Sequence, residues 1–307
     1  MRETVGLIGG PETGKTTWLL QIAKNNPSHP VYVFDTEGKV KRVAAFLGGV
    51  PDNVLVMHTP TLDEMQYAKR EIVVPALRNC PEEFGIVMYD MVGNIWTEAQ
   101  EKFAGLGHKE GLGAHLSDQM AKLREQNKNA MTGGFEGFQG DWKTIRGWYN
   151  YVVKNTITHM ACHVFLTAGS RPIRQSDGNS PVADRTELLD VWNPFGYAPE
   201  AEKGLTFQLN TLLGVKAWGL VRAYSLSLTK DVSRVPLLPV ELWLEEDTKP
   251  SEVIEFTLKS GKVRKVPIFD LWEQYCELTE GSQYLLPGGA NGSIEVKEHG
   301  ASYKERQ

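Results

Sequence analysis

The chain has 307 residues, of which 41% are hydrophobic and 23% are charged, and its formal net charge is −5. This composition is typical of a globular protein with a large core, and no stretch reaches the ~18 consecutive apolar residues that a membrane span needs. The mild acidity excludes nucleic-acid binding through net charge alone, although it permits a local basic groove. The three cysteines are widely spaced. We therefore expect a cytoplasmic protein without a disulfide framework or a zinc site.

The first half of the sequence predicts apolar strands that alternate with amphipathic helices, the pattern of a parallel sheet covered by helices. The predicted strands in chain order are 4–8, 31–35, 54–58, 86–90 and 162–168. The predicted helices are 15–25, 39–47, 62–78 and about 142–159. Strand patterns dominate from residue 217 onward, and the predicted elements there are strands 220–228, 240–244 and 253–258 and a helix at 269–278.

Two long segments interrupt this alternation. Residues 97–141 contain eight glycines and twelve charged residues, and the pattern predicts loop-like ends with a candidate helix at 116–126. Residues 171–203 contain four prolines with little periodicity. Segments of this length without regular structure are usually functional or disordered. The predicted organisation is a core over 1–230 with a mobile insertion at 97–141 and a long loop at 171–203. A small β-rich extension with a helix at 231–286 and a disordered tail at 287–307 follow.

Residues 9–16 read GGPETGKT and match the phosphate-binding pattern GxxxxGK[ST]. In this pattern the backbone wraps the phosphates, and the following helix directs the positive end of its dipole toward them. The residues predicted to bind ATP are Gly9, Gly10, Pro11, Glu12, Thr13, Gly14, Lys15, Thr16 and Thr17. Lys15 would reach the β- and γ-phosphates, and the Thr16 hydroxyl would bind Mg²⁺. The alternative is a glycine turn with an incidental Lys-Thr pair, but the flanking strand and helix favour the phosphate loop.

Two carboxylates are candidates for the chemistry. Asp90 ends the apolar strand IVMYD, where a second Mg²⁺ ligand belongs, although it could simply cap a turn. Hydrolysis also needs a group that orients or deprotonates water. Because Met91 and not a glutamate follows Asp90, the candidate is Glu37, in the sequence Asp-Thr-Glu-Gly after the second strand. Glu37 could instead be a solvated turn acid beside Lys39.

Together these motifs resemble the RecA-like ATPases, and especially small phage-encoded RecA-like nucleotide-binding proteins. The shared pattern is an N-terminal phosphate loop, a strand ending in Asp-Thr-Glu, a strand ending in Asp, and a Trp-containing helix before an HVFLTA-like strand. The resemblance covers about 5–229 and implies an α/β fold with a mainly parallel sheet, ATP and Mg²⁺ as cofactors, and Glu37 as the catalytic base. A guanylate- or nucleoside-kinase-like fold is the alternative, and it is disfavoured because the Asp90 strand comes fourth and no lid arginine cluster is evident.

The resemblance also points to residues around the long loop. Thr167 or Ser170 would lie near the γ-phosphate, where RecA-like proteins carry a polar sensor. Arg171 and Arg174 follow, and they could sense phosphate, contact DNA or form an exposed basic loop.

Further basic residues are candidates for contacts between subunits or with DNA. RecA-like proteins lend basic residues to a neighbour's nucleotide, so the resemblance implies a homo-oligomer. The candidates here are Lys216, Arg222, Lys230 and Arg234. A second basic cluster predicts a charged hairpin, with DNA contact as the alternative, and comprises Lys259, Lys262, Arg264 and Lys265.

Two classes of function remain open from the sequence. One is a DNA-dependent ATPase of phage recombination, annealing or replication that acts on single-stranded DNA. Within the loop at 171–203, cations could neutralise DNA phosphates and the aromatic residues Trp192, Phe195 and Tyr197 could stack on unpaired bases, although the loop could equally cover a subunit contact. The other class is an ATP-operated switch or assembly factor that acts on a protein partner. A DNA packaging motor is a third reading, weakened because no nuclease-like acidic cluster follows the core.

Overall fold

The computed structural model describes residues 3–11, 13–79, 85–109, 111–125, 139–172, 197–202, 204–205, 208–209, 211–218, 223–231, 252–257 and 263–268. The strands are β1 (Thr4–Gly9), β2 (Val31–Asp35), β3 (Val54–His58), β4 (Gly85–Asp90), β5 (Cys162–Pro172), β6 (Tyr197–Glu200), β7 (Thr211–Trp218), β8 (Ala223–Asp231), β9 (Glu252–Thr257) and β10 (Val263–Ile268). The helices are α1 (Lys15–Asn25), α2 (Val40–Phe46), α3 (Leu62–Ala68), α4 (Val74–Asn79), α5 (Val92–Phe103), α6 (Leu112–Glu125), α7 (Gln139–Val152) and α8 (Lys154–His159). A π-helical segment, Lys69–Val73, joins α3 to α4, and another, Ala104–His108, continues α5.

The main sheet has the strand order β3-β2-β4-β5-β1-β7-β8, and β6 pairs with β5 outside this path. The pairs from β3 through β1 to β7 are parallel, whereas β7–β8 and β5–β6 are antiparallel. Strand β5 lies between β1 and β4, and Asp35 is paired in register with Asp90. The carboxyl ends of β1, β2 and β4 therefore meet at one edge. This topology confirms the predicted α/β class, a mainly parallel sheet flanked by helices.

Apolar side chains cover both faces of the sheet, which explains why its parallel strands are almost continuously hydrophobic. On one face Trp18, Leu19 and Ile22 of α1 pack with strand residues into a buried cluster. On the other face the packing residues come chiefly from α3, α5, α7 and α8, and they include Ile95 and Tyr149. The two layers fix the strand ends that carry the polar residues of the site.

The segment that was expected to begin as a loop at Thr97 begins as helix. Helix α5 extends to Phe103, and its residues Val92, Ile95 and Ala99 are all buried. Their spacing puts them on one helical face, and burial of that face outweighs the charged composition that suggested a loop. The expectation of a loop-like start was therefore wrong, while the mobility of the rest stays a prediction.

Other element boundaries also differ from the sequence-based expectations. The predicted helix at 142–159 is two helices, α7 and α8, and β5 continues to Pro172 because β6 pairs with its end. Strand β10 was expected only as part of a charged hairpin, and it pairs antiparallel with β9. The predicted strand 240–244, the helix 269–278 and the tail 287–307 lie outside the described residues. In the part of the chain that the structure describes, no helix is long and apolar enough to cross a membrane.

Lys69 is buried where the π-helical segment after α3 meets the end of α7. Its side chain is 4% exposed, and its Nζ donates hydrogen bonds to the carbonyls of Tyr151 and Val152. Loss of hydration lowers the pKa of Lys69 from 10.5 to about 8. The lysine thus caps α7 at the cost of holding a partly desolvated charge.

This burial predicts a pH-dependent contribution to stability. The unfolded chain keeps the Lys69 proton up to the ordinary pKa, whereas the folded protein releases it from about pH 8, so the contribution of Lys69 to stability rises with pH. We expect the free energy of unfolding of wild type, relative to that of Lys69→Met, to rise by about 1.4 kcal/mol per pH unit between about pH 8 and pH 10. Urea unfolding of both proteins across this range measures the difference. A difference independent of pH would contradict the assignment.

Candidate functional site

The phosphate loop connects β1 to α1. Gly14 at its end has a φ of 84°, in the region that favours glycine, and α1 begins at the next residue. The Thr13 hydroxyl donates to the carbonyl of Gly10 over 2.9 Å and closes the loop on itself. The sequence pattern therefore folds into a compact turn at a helix N-terminus, as phosphate binding requires.

The Lys15 ammonium lies inside this loop. Its Nζ donates to the carbonyl of Gly9 over 2.9 Å and to that of Gly10 over 2.6 Å. Burial lowers the pKa of Lys15, and the negative charges of Asp90 and Glu37 oppose this shift. The Lys15 ammonium is therefore held by loop carbonyls at a position where bound phosphate oxygens could replace them as acceptors.

Asp90 lies between two threonine hydroxyls. Thr16 donates to Asp90 Oδ2 over 2.8 Å, and Thr167 donates to Asp90 Oδ1 over 2.6 Å. Burial raises the pKa of Asp90, whereas these two hydrogen bonds lower it. The structure thus brings together the two predicted Mg²⁺ ligands, and it places the predicted sensor Thr167 against Asp90.

The residues Thr16 and Asp90 fit a Mg²⁺ ion. Both offer oxygen atoms, and Mg²⁺ in nucleotide sites usually takes one or two protein ligands together with phosphate oxygens and water. Among the described residues no group of three or more His, Cys, Asp or Glu side chains is placed to hold a metal without such help. Thr16 and Asp90 would therefore bind a metal ion together with a nucleotide whose phosphates complete the coordination.

The turn that carries Glu37 is held by Asp35. The buried carboxylate of Asp35 accepts hydrogen bonds from the backbone N–H groups of Glu37, Lys39 and Val40 over 3.3, 3.1 and 3.1 Å. Gly38 has a φ of 68°, which a larger residue would adopt only with strain. Asp35 therefore organises the turn, and Glu37 projects from it.

The Glu37 side chain is 24% exposed and pairs with the Lys39 ammonium at 2.6 Å. Both groups act electrostatically on Lys15, Glu37 raising and Lys39 lowering its pKa. The predicted base is therefore near enough to the phosphate loop to act electrostatically on Lys15, and it forms an ion pair with Lys39.

Thr36, which the sequence analysis did not single out, fastens the ends of β2 and β4 together. Its hydroxyl donates to the carbonyl of Asp90 over 3.0 Å and accepts from the Met91 N–H over 3.0 Å and from Asn94 Nδ2 over 2.9 Å. The Asp90–Met91 peptide bond is cis. Thr36 is the middle residue of Asp-Thr-Glu, and that motif does not indicate its partners 54 to 58 positions away.

The remaining predicted residues divide by location. Ser170 lies on the end of β5, where a Cβ added to Gly10 would be 3.8 Å from its Oγ, so it faces the phosphate loop. Arg171 is the next residue of that strand. Residues outside the described part of the chain are Glu12, Arg174, Trp192, Phe195, Arg222, Arg234, Lys259 and Lys262. Residues on described strands whose side chains are not described are Tyr197, Lys216, Lys230, Arg264 and Lys265.

The chain shows low sequence similarity to known proteins. No protein-family model matches the chain, and no curated protein matches it. Among solved structures, the chain is similar to the crystal structure of the RadB recombinase, with 14% sequence identity and a TM-score of 0.35, over 74% of this chain and 81% of that chain.

Proposed function

We propose that this protein is a Mg²⁺-dependent ATPase of RecA-like type. The observation that carries the proposal is the 2.8 Å hydrogen bond between Thr16 and Asp90, which joins the phosphate loop to the end of β4 across 74 positions of sequence. A glycine turn with an incidental Lys-Thr pair would not need a buried carboxylate at its threonine. The contact supports a common role for the two residues in holding a metal with its nucleotide.

The loop backbone, Lys15 and Thr16 would bind the phosphates and their metal ion. Backbone N–H groups of the loop and the first turn of α1 would bind the phosphates, and Lys15 would exchange the carbonyls of Gly9 and Gly10 for β- and γ-phosphate oxygens. Thr16 and Asp90 would hold Mg²⁺, which when bound neutralises charge on the β- and γ-phosphate oxygens. Thr167 keeps the Asp90 carboxylate oriented through its 2.6 Å hydrogen bond.

Glu37 is the proposed base. It would orient a water molecule whose oxygen attacks the γ-phosphorus, while the bond between that phosphorus and the oxygen of the departing ADP breaks. The proton of the water passes to the Glu37 carboxylate. The Lys39 ammonium contacts Oε2 of Glu37, so Oε1 is the oxygen that would take the proton.

The wider role that we propose is action on single-stranded DNA, in phage recombination, annealing or replication, by a homo-oligomer. Support comes from strand β5, which passes Thr167 beside Asp90 and then reaches Arg171 within four residues. Arg171 is thus linked through β5 and Thr167 to the proposed metal ligand Asp90. A basic residue at this position could respond to bound nucleotide and contact DNA phosphates.

The test is ATP hydrolysis by the purified protein with and without Mg²⁺ and single-stranded DNA. We expect hydrolysis that requires Mg²⁺ and is stimulated several-fold by single-stranded DNA, with a stimulation that weakens as salt rises because phosphate contacts release counterions. The double variant Arg171→Ala, Arg174→Ala should lose stimulation but keep basal hydrolysis. Hydrolysis that no DNA stimulates would instead favour an ATP-operated switch acting on a protein, and no hydrolysis of ATP or GTP would refute the ATPase.

A further inference from the structure

Strand β6 brings a further carboxylate, that of Glu200, to the nucleotide site. Strand β6 pairs antiparallel with the end of β5, with Glu200 opposite Gly169 and Pro199 opposite Ser170. Ser170 faces Gly10 of the phosphate loop, so this end of the β5–β6 pair lies against the loop. Glu200 is far from the sequence motifs, and the sequence analysis did not identify it.

Two glycines make room for Glu200. A Cβ added to Gly169 would collide with Oε2 of Glu200 and would lie 3.3 Å from Cε of Met91, the residue after Asp90. A Cβ added to Gly93, in the first turn of α5, would lie 2.5 Å from the carbonyl oxygen of Glu200. The backbone of Glu200 is thus fixed against α5, and its carboxylate lies over Gly169 beside Met91.

The carboxylate acts on the charge of Lys15. Burial lowers the pKa of Lys15, and three acids oppose this shift, first Asp90, then Glu37, and most weakly Glu200. Lys15 Nζ makes its hydrogen bonds to the carbonyls of Gly9 and Gly10, so Glu200 acts on it through space. Phosphates bound at the loop would lie within range of the same carboxylate. Glu200 would repel these phosphates, whereas it attracts the Lys15 ammonium.

We infer that Glu200 is a specificity-determining residue of the nucleotide site, whose negative charge opposes the γ-phosphate and makes triphosphate binding depend on a screening cation. This inference rests on the proposed nucleotide site. A bound nucleotide would place phosphate oxygens, as well as the Lys15 ammonium, within range of the Glu200 charge. A diphosphate ends one phosphate earlier, so the repulsion falls mainly on the triphosphate and is strongest without Mg²⁺.

The experiment compares wild type with Glu200→Gln, which removes the charge and keeps the shape. The matched control is Glu71→Gln, a carboxylate on the π-helical segment after α3 whose partner is Arg70. Binding of ADP and of a non-hydrolysable ATP analogue is measured by calorimetry, in Mg²⁺ and in EDTA. A further variant, Glu200→Asp, keeps the charge and should keep the wild-type preference.

In EDTA we expect Glu200→Gln to tighten binding of the ATP analogue by about 3- to 10-fold, and to change ADP binding less than about twofold. In Mg²⁺ the gain should shrink, and Glu71→Gln should match wild type throughout. If Glu200→Gln does not fold, Glu200→Ser carries the same expectation. Equal shifts for both nucleotides, no shift, or weaker binding of the analogue would overturn the inference. Failure of the wild type to bind any nucleotide would overturn the proposed function itself, and the two failures are therefore distinguishable.

Discussion

Replacing Glu37 by Gln should reduce ATP turnover by about 10²- to 10⁴-fold, the usual contribution of a positioned general base, while ATP binding stays within a few-fold of wild type. Glutamine keeps the size of the side chain and the hydrogen bonds of the turn, which the Asp35 carboxylate makes with backbone N–H groups. The amide cannot take a proton from water. The loss should therefore appear in kcat, because phosphate binding depends on other residues.

The control for this experiment is Lys39→Met, which removes the ion-pair partner of Glu37 without removing the base. If the ion pair restrains Glu37, Lys39→Met keeps most of the turnover that Glu37→Gln loses. Steady-state and single-turnover hydrolysis separate chemistry from nucleotide release. Comparable turnover in wild type and Glu37→Gln would remove Glu37 from the role of base.

Replacing Lys15 by Ala should weaken ATP binding by about 10- to 100-fold, as expected for loss of hydrogen bonds from a charged group, and should lower turnover further. In wild type the buried ammonium is held by the carbonyls of Gly9 and Gly10, and a phosphate can take over these bonds without new desolvation. Alanine leaves the loop carbonyls without this donor and leaves the phosphates without a cation. Binding and turnover should thus fall together.

The matched control is Lys24→Ala, in the last turn of the same helix and exposed to solvent. Both variants lose one positive charge from α1, so any difference between them reflects position and not net charge. Titration of a fluorescent ATP analogue measures binding, and phosphate release measures turnover. Lys15→Ala that binds ATP as tightly as Lys24→Ala would contradict the placement of phosphates at this loop.

The sequence by itself determined the features that depend on neighbouring residues. The phosphate loop is one, since a glycine at position 14 and a helix starting at Lys15 are local choices of the backbone. The strands ending at Asp35 and Asp90 are another, because short apolar runs bounded by turn residues predict buried strands. Parallel strands of this kind carry their functional residues at the carboxyl ends, so the sequence predicted Lys15 and Asp90 at one site, and the family resemblance added Glu37.

Only the tertiary structure decided which distant groups meet at that site. Thr36 joins Met91 and Asn94, Thr167 joins Asp90, and Glu200 lies over Gly169, because strand order and pairing register arise from packing of the whole sheet. Local sequence carries no record of contacts between residues 31 or more positions apart. The same holds for the first turns of the segment after Thr97, where glycines and charges suggested a loop. Burial of one apolar face of α5 against the sheet outweighed that local preference and made it helix.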